Sequence, residues 1–492
     1  VGSYDNAKDT ERDYLTCDES GFAQTKDLPY GIYTVHQVSG WEGSELMPDF
    51  DVFISQNEAT YRYLINNAPF NSFIKIVKQD AGTGKTIPYA GAGFKIYDPD
   101  GNPVTMTFTY PTSTNIDVFY TDDEGSLITP EKLPYGRGYS IVEVQAPYGY
   151  VLDETPIYFD VTQENSIEES GVTIIKVNKK NFAQKGTIAV EKTGEVFFGV
   201  SVSGGIDESG NELPIIYQPQ YEKRGLPGAV YEIVAAEDII TPDGTVRNHK
   251  GDVVDTIITD ENGIAMSCEL YLGEYEVREV TAPNGMVLNP ESRFVELVYA
   301  GQNVAVTETA TSFENERQKV EISLVKSIEQ NERFDIGTNG EMKNITFGLF
   351  AAEEIVSASG TSIPANGLIE IVSLNEDGTA TIKTDLPYGR YYVQEIATDS
   401  HYKLSDAKYP IIFEYVGQDT AVVKIAVNDG KAIKNDLIYG SVSGKKVDED
   451  GNALGGAMIG LFRTDDGEFT KENALMTTTS AGDGSFSFEN IP

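Results

Sequence analysis

The sequence predicts an all-β protein built as an elongated row of small sandwich domains, and three observations carry that prediction. Apolar and polar residues alternate with a period of two and no stretch sustains a helical stripe, so the local structure is strand and turn. Acidic hairpin signals recur as CDESG, TDDEG, TDENG and NEDG, with glycine supplying the positive φ that tight hairpins demand. Four asparagines each stand eleven residues ahead of a lysine: Asn67 and Lys78, Asn181 and Lys192, Asn315 and Lys326, Asn435 and Lys446. The intervals between the lysines are 114, 134 and 120 residues, so a rigid short spacing inside a loose long period marks junctions between modules. Such a period is too long for a solenoid and suits autonomous domains in series.

Each module repeats one order of elements. A lysine strand opens it, a Gly-rich turn follows, and then comes an apolar strand, read as GFKIYD, AVYEIVAAE, TFGLFAAEE and MIGLFR. After the hairpin signal stands LPYG (28–31, 133–136, 386–389) or its relative LYLGEY, running from Leu270 to Tyr275. The next strand reads Tyr-x-Val/Ile-x-Glu, in YSIVE ending at Glu143, YEVRE ending at Glu279 and YYVQE ending at Glu395. A junction asparagine follows 36 to 40 residues later. Cuts near 72, 185, 319 and 439 make 73–185, 186–319 and 320–439 whole modules. Residues 1–72 read as the C-terminal part of another module and 440–492 as the N-terminal part of a further one, as in a piece of a longer protein. A 33-residue stretch from Glu195 to Pro227 is inserted in the second whole module. It reads first as a decorative hairpin and is the best candidate for a specialised surface.

Composition narrows the function. With 37 basic against 77 acidic residues the net charge is −40, which repels nucleic acid and anionic lipid and excludes a nucleic-acid partner. Two cysteines, Cys17 and Cys268, fall in different modules and read as buried or half-buried small apolar residues rather than a disulfide framework. No apolar run is long enough to span a bilayer, and the N-terminal VGSYDNAKDT lacks signal-peptide anatomy. His36, His249 and His401 lie in separate modules, so no metal cluster or Ser-His site is expected, and no cofactor is implied. The acidic turns DPDGN at 98–102 and DEDGN at 448–452 lack the distant glutamate of a calcium loop and read as β-turns. Acidic residues are everywhere, yet nothing singles out a glycosidase pair. Trp41 and the 28 tyrosines read as packing residues before they read as a sugar-binding face.

Strand parity points three polar side chains inward. Ile188, Val190 and Lys192 share one face, as do Val320, Ile322, Leu324 and Lys326, and Val442, Gly444 and Lys446. In the first whole module both faces are mixed. Tyr275, Val277 and Glu279 share a face, and Tyr391, Val393 and Glu395 do likewise. Phe313 with Asn315, Ile433 with Asn435 and Ile65 with Asn67 follow the same rule. Each module is therefore expected to bury a Lys, a Glu and an Asn. Isolated buried charges are very costly, so the pair must bridge, neutralise or react. The plain reading is a buried salt bridge with an asparagine bonded to it. The sharper reading is that desolvation lowers the lysine pKa and raises that of the glutamate until both are neutral. A neutral amine attacks the carboxamide, the glutamic acid polarises its carbonyl and shuttles a proton, and ammonia leaves, giving a Lys-Asn isopeptide bond. Contact inside a folded core supplies on the order of 7–11 kcal/mol of the barrier. The step is a single-turnover maturation and not enzyme activity.

The strands YSIVEVQAPYGY at 139–150, YEVREVTAPNGM at 275–286 and the divergent YYVQEIATDSHY at 391–402 resemble the prealbumin-like repeats (Cna B-type and SpaA-like) of Gram-positive surface adhesins and pilins. The resemblance covers essentially the whole chain. It implies a reverse-immunoglobulin-like β-sandwich, isopeptide bonds promoted by glutamate, and a stiff stalk holding an adhesive tip off the cell wall. By position, Glu143 serves Lys78 and Asn181, Glu279 serves Lys192 and Asn315, and Glu395 serves Lys326 and Asn435. Asn178 competes with Asn181, and the constant spacing favours Asn181. At the N-terminal glutamate position stands Gln37, in YTVHQ, which holds no titratable proton, so Asn67 is expected to be unpaired, as is Lys446.

The leading function is thus the self-crosslinked stalk of a secreted, cell wall-anchored adhesin on a Gram-positive surface, monomeric and elongated, with no membrane insertion in this stretch. A pilus shaft subunit is the runner-up, though neither a sortase-reactive lysine motif nor an LPxTG-like terminus is visible. A glycan- or host-matrix-binding β-sandwich array is the third. Partners are then a host or matrix protein or a glycan, met outside these residues or on their surface.

Overall fold

Each whole module folds as two sheets closed over one apolar core. In this computed structural model, which describes residues 8, 13–109, 111–206, 210 and 212–492, the secondary structure is strand with two 3₁₀ turns and no α-helix among the described residues. The N-terminal VGSYDNAKDT, apart from Lys8, lies outside the described residues. Among the described residues no helix is long and apolar enough to cross a membrane.

In the first whole module the lysine strand Asn71–Asp80 pairs in parallel with the asparagine strand Val172–Asn181. The opposite sheet carries the glutamate strand Gly136–Gln145 between Gly93–Tyr97 and Ile157–Val161. Ile74 and Ile76 from one sheet meet Phe94, Ile96 and Ile141 from the other in a dry core. The mixed parity of the first strand resolves onto its even-numbered face, where Ile74, Ile76 and Lys78 are all fully buried. The second and third modules repeat the plan, with parallel pairs between Lys185–Ile206 and Val306–Asn315, and between Lys319–Ile328 and the strands Val422–Ala426 and Ile433–Asn435. Their glutamate strands are Gly273–Thr281 and Gly389–Ala397.

The hairpin glycines fix the lysine strands. Gly125, Gly263 and Gly378 each accept the backbone N–H of their module's lysine, at 2.9, 2.7 and 2.8 Å. Gly263 and Gly378 have φ of 79° and 81°, and a Cβ on either would lie 2.3 or 2.4 Å from that lysine's carbonyl oxygen. Only glycine fits there.

The insertion is a hairpin, and it is not decorative. Lys185–Ile206 and Glu212–Gly225 form a long β-ribbon that leaves its own module and lies on the next. The Phe197 and Phe198 carbonyls accept from Ala358 and Ser359 at 3.1 and 2.9 Å, Ile216 pairs with Leu368, and Phe197, Val200 and Tyr217 pack on the third module's core. One nine-stranded sheet thereby runs through both modules.

Three further expectations are corrected. Cys17 and Cys268 are both exposed, since each lies in a loop outside any strand. Residues 61–68 form no strand, so Ile65 is exposed while Asn67 is half-buried. Val442 and Lys446 are exposed; among the described residues Gly440–Lys445 pairs with Ser485–Ile491 alone.

Candidate functional site

The three polar residues of each module come from three strands and two sheets. Because lysine and asparagine strands run parallel, register sets their relation: Lys78 stands opposite Lys179, Lys192 opposite Phe313 and Lys326 opposite Ile433. Each partner precedes the junction asparagine by two residues, so lysine and asparagine are diagonal neighbours on one inward face. The glutamate reaches across from the facing sheet, where it stands opposite an aromatic residue: Phe94, Tyr231 or Phe347.

In the first module Lys78 and Glu143 are fully buried, with Nζ 2.9 Å from Oε1 but off any hydrogen-bond axis. Lys78 Nζ donates to Asn181 Oδ1. Asn181 Nδ2 donates to Glu143 Oε2 at 2.7 Å and to the Val151 carbonyl at 2.6 Å. In the second, Lys192 Nζ lies 3.0 Å from Glu279 Oε1 and donates to Asn315 Oδ1, while Asn315 Nδ2 donates to Glu279 Oε1 at 3.0 Å. In the third, Lys326 Nζ donates to Asn435 Oδ1 at 2.5 Å and lies 3.6 Å from Glu395 Oε1, which accepts Asn435 Nδ2 at 2.6 Å. Thr398 Oγ1 takes the other Nδ2 hydrogen at 3.0 Å. Asn178 is exposed, and it is Asn181 that meets Lys78.

The carboxyl group therefore sits at the amide nitrogen and not at the carbonyl oxygen that the sequence reading gave it. Val151 and Thr398 take the second amide hydrogen and so fix which way the amide faces. The lysine side chain is buried away from solvent in all three modules. Desolvation pulls Lys78 down to about 8 against the attraction of Glu143, and it lowers Lys192 and Lys326 in the same way. The aromatic rings add apolar walls, with Lys192 Nζ 5.7 Å from the Tyr231 ring centre and Lys326 Nζ 5.8 Å from that of Phe347.

Lys179 breaks the apolar parity of its strand for a separate reason. It is buried, and it bridges Asp153 and the Thr155 carbonyl, both at 2.9 Å. In the N-terminal segment Gln37 occupies the glutamate position, and its Oε1 accepts Asn67 Nδ2 at 2.8 Å. Among the described residues Lys446 Nζ reaches only the neighbouring Val447 carbonyl, at 3.2 Å. No metal-binding cluster of His, Cys, Asp and Glu forms among the described residues.

The sequence matches the SpaA prealbumin-like fold domain three times, over 72–176, 215–311 and 330–431, which is more than half of the chain. The chain belongs to this prealbumin-like family. Among solved structures it is similar to the Bacillus anthracis TIE protein, at 21% identity with a TM-score of 0.43, and it spans 85% of its own length and 65% of that chain. It is also similar to BcpA, the major pilin subunit of Bacillus cereus, at 14% identity, 74% and 99% coverage and a TM-score of 0.26. The pilus adhesin SpaC from Lactobacillus rhamnosus GG shares 10% identity, with 84% and 56% coverage and a TM-score of 0.26. No curated protein matches.

Residues missed from sequence sit at the joints between prealbumin-like modules. Gln184 Nε2 donates to the Gly301 and Val304 carbonyls, and its Oε1 accepts Ala300 N–H at 2.8 Å. Gln318 does the same to Gly417, Thr420 and Val416. Both glutamines stand three residues after a junction asparagine, and their targets read YAGQN and YVGQD, a repeat visible in the sequence. Arginines bolt the same joints. Arg247 pairs with buried Asp80 at 2.9 Å, and Arg317 pairs with Asp385 at 2.5 Å and Glu195 at 3.2 Å while stacking on Tyr221.

Proposed function

We propose that this chain is a load-bearing stalk segment of a Gram-positive surface protein, and that its three whole modules crosslink themselves through Lys78 to Asn181, Lys192 to Asn315 and Lys326 to Asn435. The observation that supports this most is a carboxylate lying between an amine and an amide nitrogen in three separate cores. Glu143, Glu279 and Glu395 take a proton from the lysine ammonium, leaving a neutral amine. Nζ attacks the asparagine Cγ, the Nζ–Cγ bond forms and the Cγ–Nδ2 bond breaks. The glutamic acid delivers its proton to Nδ2 and recovers one from Nζ, so ammonia leaves and the carboxyl group ends as it was after the first transfer. No cofactor enters, and the protein is not an enzyme in the turnover sense.

The parallel register gives the bond a mechanical role. Tension enters through the start of a lysine strand and leaves through the end of an asparagine strand, which places both crosslinked residues on the load path. The 103, 123 or 109 positions that separate the partners are then bypassed. Attachment of an adhesive region held by this stalk, and anchoring to the cell wall, belong to the same reading. A pilus shaft subunit would use identical crosslinks and would in addition polymerise when incubated with its transpeptidase. Single-molecule pulling tests the stalk: the three whole modules should give no full-length unfolding steps, and three such steps would leave the clusters as ordinary salt bridges.

A further inference from the structure

The glutamate of each cluster has a second anchor. Ten residues downstream a backbone N–H donates to it: Asp153 to Glu143 Oε2 at 3.2 Å, on the oxygen that also accepts Asn181, and Asn289 to Glu279 Oε2 at 2.9 Å and Ser405 to Glu395 Oε2 at 3.3 Å, on the oxygen that the asparagine leaves free. Where that N–H sits depends on the intervening loop, and in two modules this loop is held by the next module. Gln418 of the third module accepts the Ala282 N–H on its side-chain oxygen at 2.8 Å and the Leu288 N–H on its backbone carbonyl at 2.9 Å. One residue thus grips both ends of residues 282–288. Tyr388 and Tyr415 donate to the Gly285 and Met286 carbonyls between them, at 3.0 and 3.3 Å. At the preceding joint Gln302 repeats the grip on Ala146 and Leu152, both at 2.9 Å, and Tyr299 donates to the Tyr150 carbonyl at 3.4 Å.

The third module differs. Its loop is held from within, by Asn344 on Asp399 at 2.7 Å and by Tyr402 on the Glu329 carbonyl at 2.9 Å. No hydrogen bond reaches it from 440–492 among the described residues. Residues 329–344 thus hold this loop from within its own module.

We propose that Gln302 and Gln418 are positioning residues for the crosslink of the module before their own, so that a bond forms at full rate only once the following module has folded and docked. The proposal rests on the crosslinking reading. It makes maturation of the first two modules report assembly of the joints that follow them.

The test uses the full chain, recovered unfolded and unbonded in urea, refolded by dilution, quenched over time and mapped with trypsin for each branched peptide. In Gln418→Ala the Lys192 to Asn315 bond should form about five- to tenfold more slowly, as expected for one hydrogen bond lost from the organised state. The Lys326 to Asn435 bond, in the module that carries the substitution, should keep its rate. A residue that merely stabilised its own module would give the reverse pattern, and that pattern, or no slowing at Lys192, overturns the proposal. Gln302→Ala should slow only the Lys78 to Asn181 bond, which keeps the question open to test if Gln418→Ala does not fold. Gln418→Glu retains the acceptor for Ala282 and should restore most of the rate; failure to do so also counts against the proposal. If the unsubstituted chain loses no ammonia at all, the crosslinking reading itself has failed. Three ammonias lost with equal rates in every variant would sink the positioning role alone.

Discussion

Glu279 and Gln37 occupy the same place in the same strand pattern, and each accepts the amide hydrogen of a junction asparagine, at 3.0 Å to Asn315 and 2.8 Å to Asn67. Their shapes match and their chemistry does not. A carboxyl group can hold a proton on its way from amine to leaving ammonia, and a carboxamide cannot. On the crosslinking reading we propose, the hydrogen-bond geometry around the asparagine is a scaffold, and the titratable proton is what turns the scaffold into a reaction.

The largest effect should come from making the second module resemble the N-terminal segment. Glu279→Gln preserves the contact to Asn315, yet the Lys192 bond should be lost over any practical time, because removing a general acid–base group costs about 10²–10⁴-fold. The module should then lose the crosslink's loop-closure contribution of about 4–5 kcal/mol, by analogy with a disulfide of that loop size, and it should melt separately from its neighbours by calorimetry. Normal crosslinking in Glu279→Gln would erase the distinction between the two sites. Under load, Glu395→Ala should add one extension step spanning the residues from Lys326 to Asn435 to a trace otherwise free of steps from whole modules.

The pH profile sharpens the proton's role. With the lysine of the first module held down to about 8, the state in which amine and carboxyl share one proton persists through neutral pH. That state is emptied as pH rises past about 8, when Lys78 gives up its proton to solvent. The Lys78 bond should therefore form at a level rate near neutrality and more slowly above about 8 in refolding experiments. A rate that climbs through that value would assign Glu143 the role of a base alone. The smallest effect concerns Tyr231, whose buried hydroxyl has no partner where the other modules place Phe94 and Phe347. Tyr231→Phe should stabilise the second module by about 1 kcal/mol, since it removes an unsatisfied buried hydroxyl, and its melting temperature should rise by a few degrees.

Much of the site was legible because it repeats. The eleven-residue spacing and the Tyr-x-Val/Ile-x-Glu strands name Lys192, Glu279 and Asn315 without coordinates, since strand parity and a shared order of elements suffice. Parity failed at Lys446, which is exposed beside a strand paired on one side among the described residues, and where no strand forms, as at Ile65. It also could not tell which amide atom the glutamate meets, which depends on Val151 and Thr398 in loops. The stretch from Glu195 onward reads as a hairpin, but its docking on the next module and the joint glutamines are not legible, for a different reason. Their partners are in another module, so nothing periodic within one module constrains them, although YAGQN and YVGQD carried the signal.

The central claim is that the three buried clusters have reacted, and intact mass addresses it most directly. The folded chain should be lighter than its sequence by three ammonias, with branched tryptic peptides joining Lys78 to Asn181, Lys192 to Asn315 and Lys326 to Asn435, and none involving Asn67 or Lys446. A chain at its full sequence mass would contradict the claim.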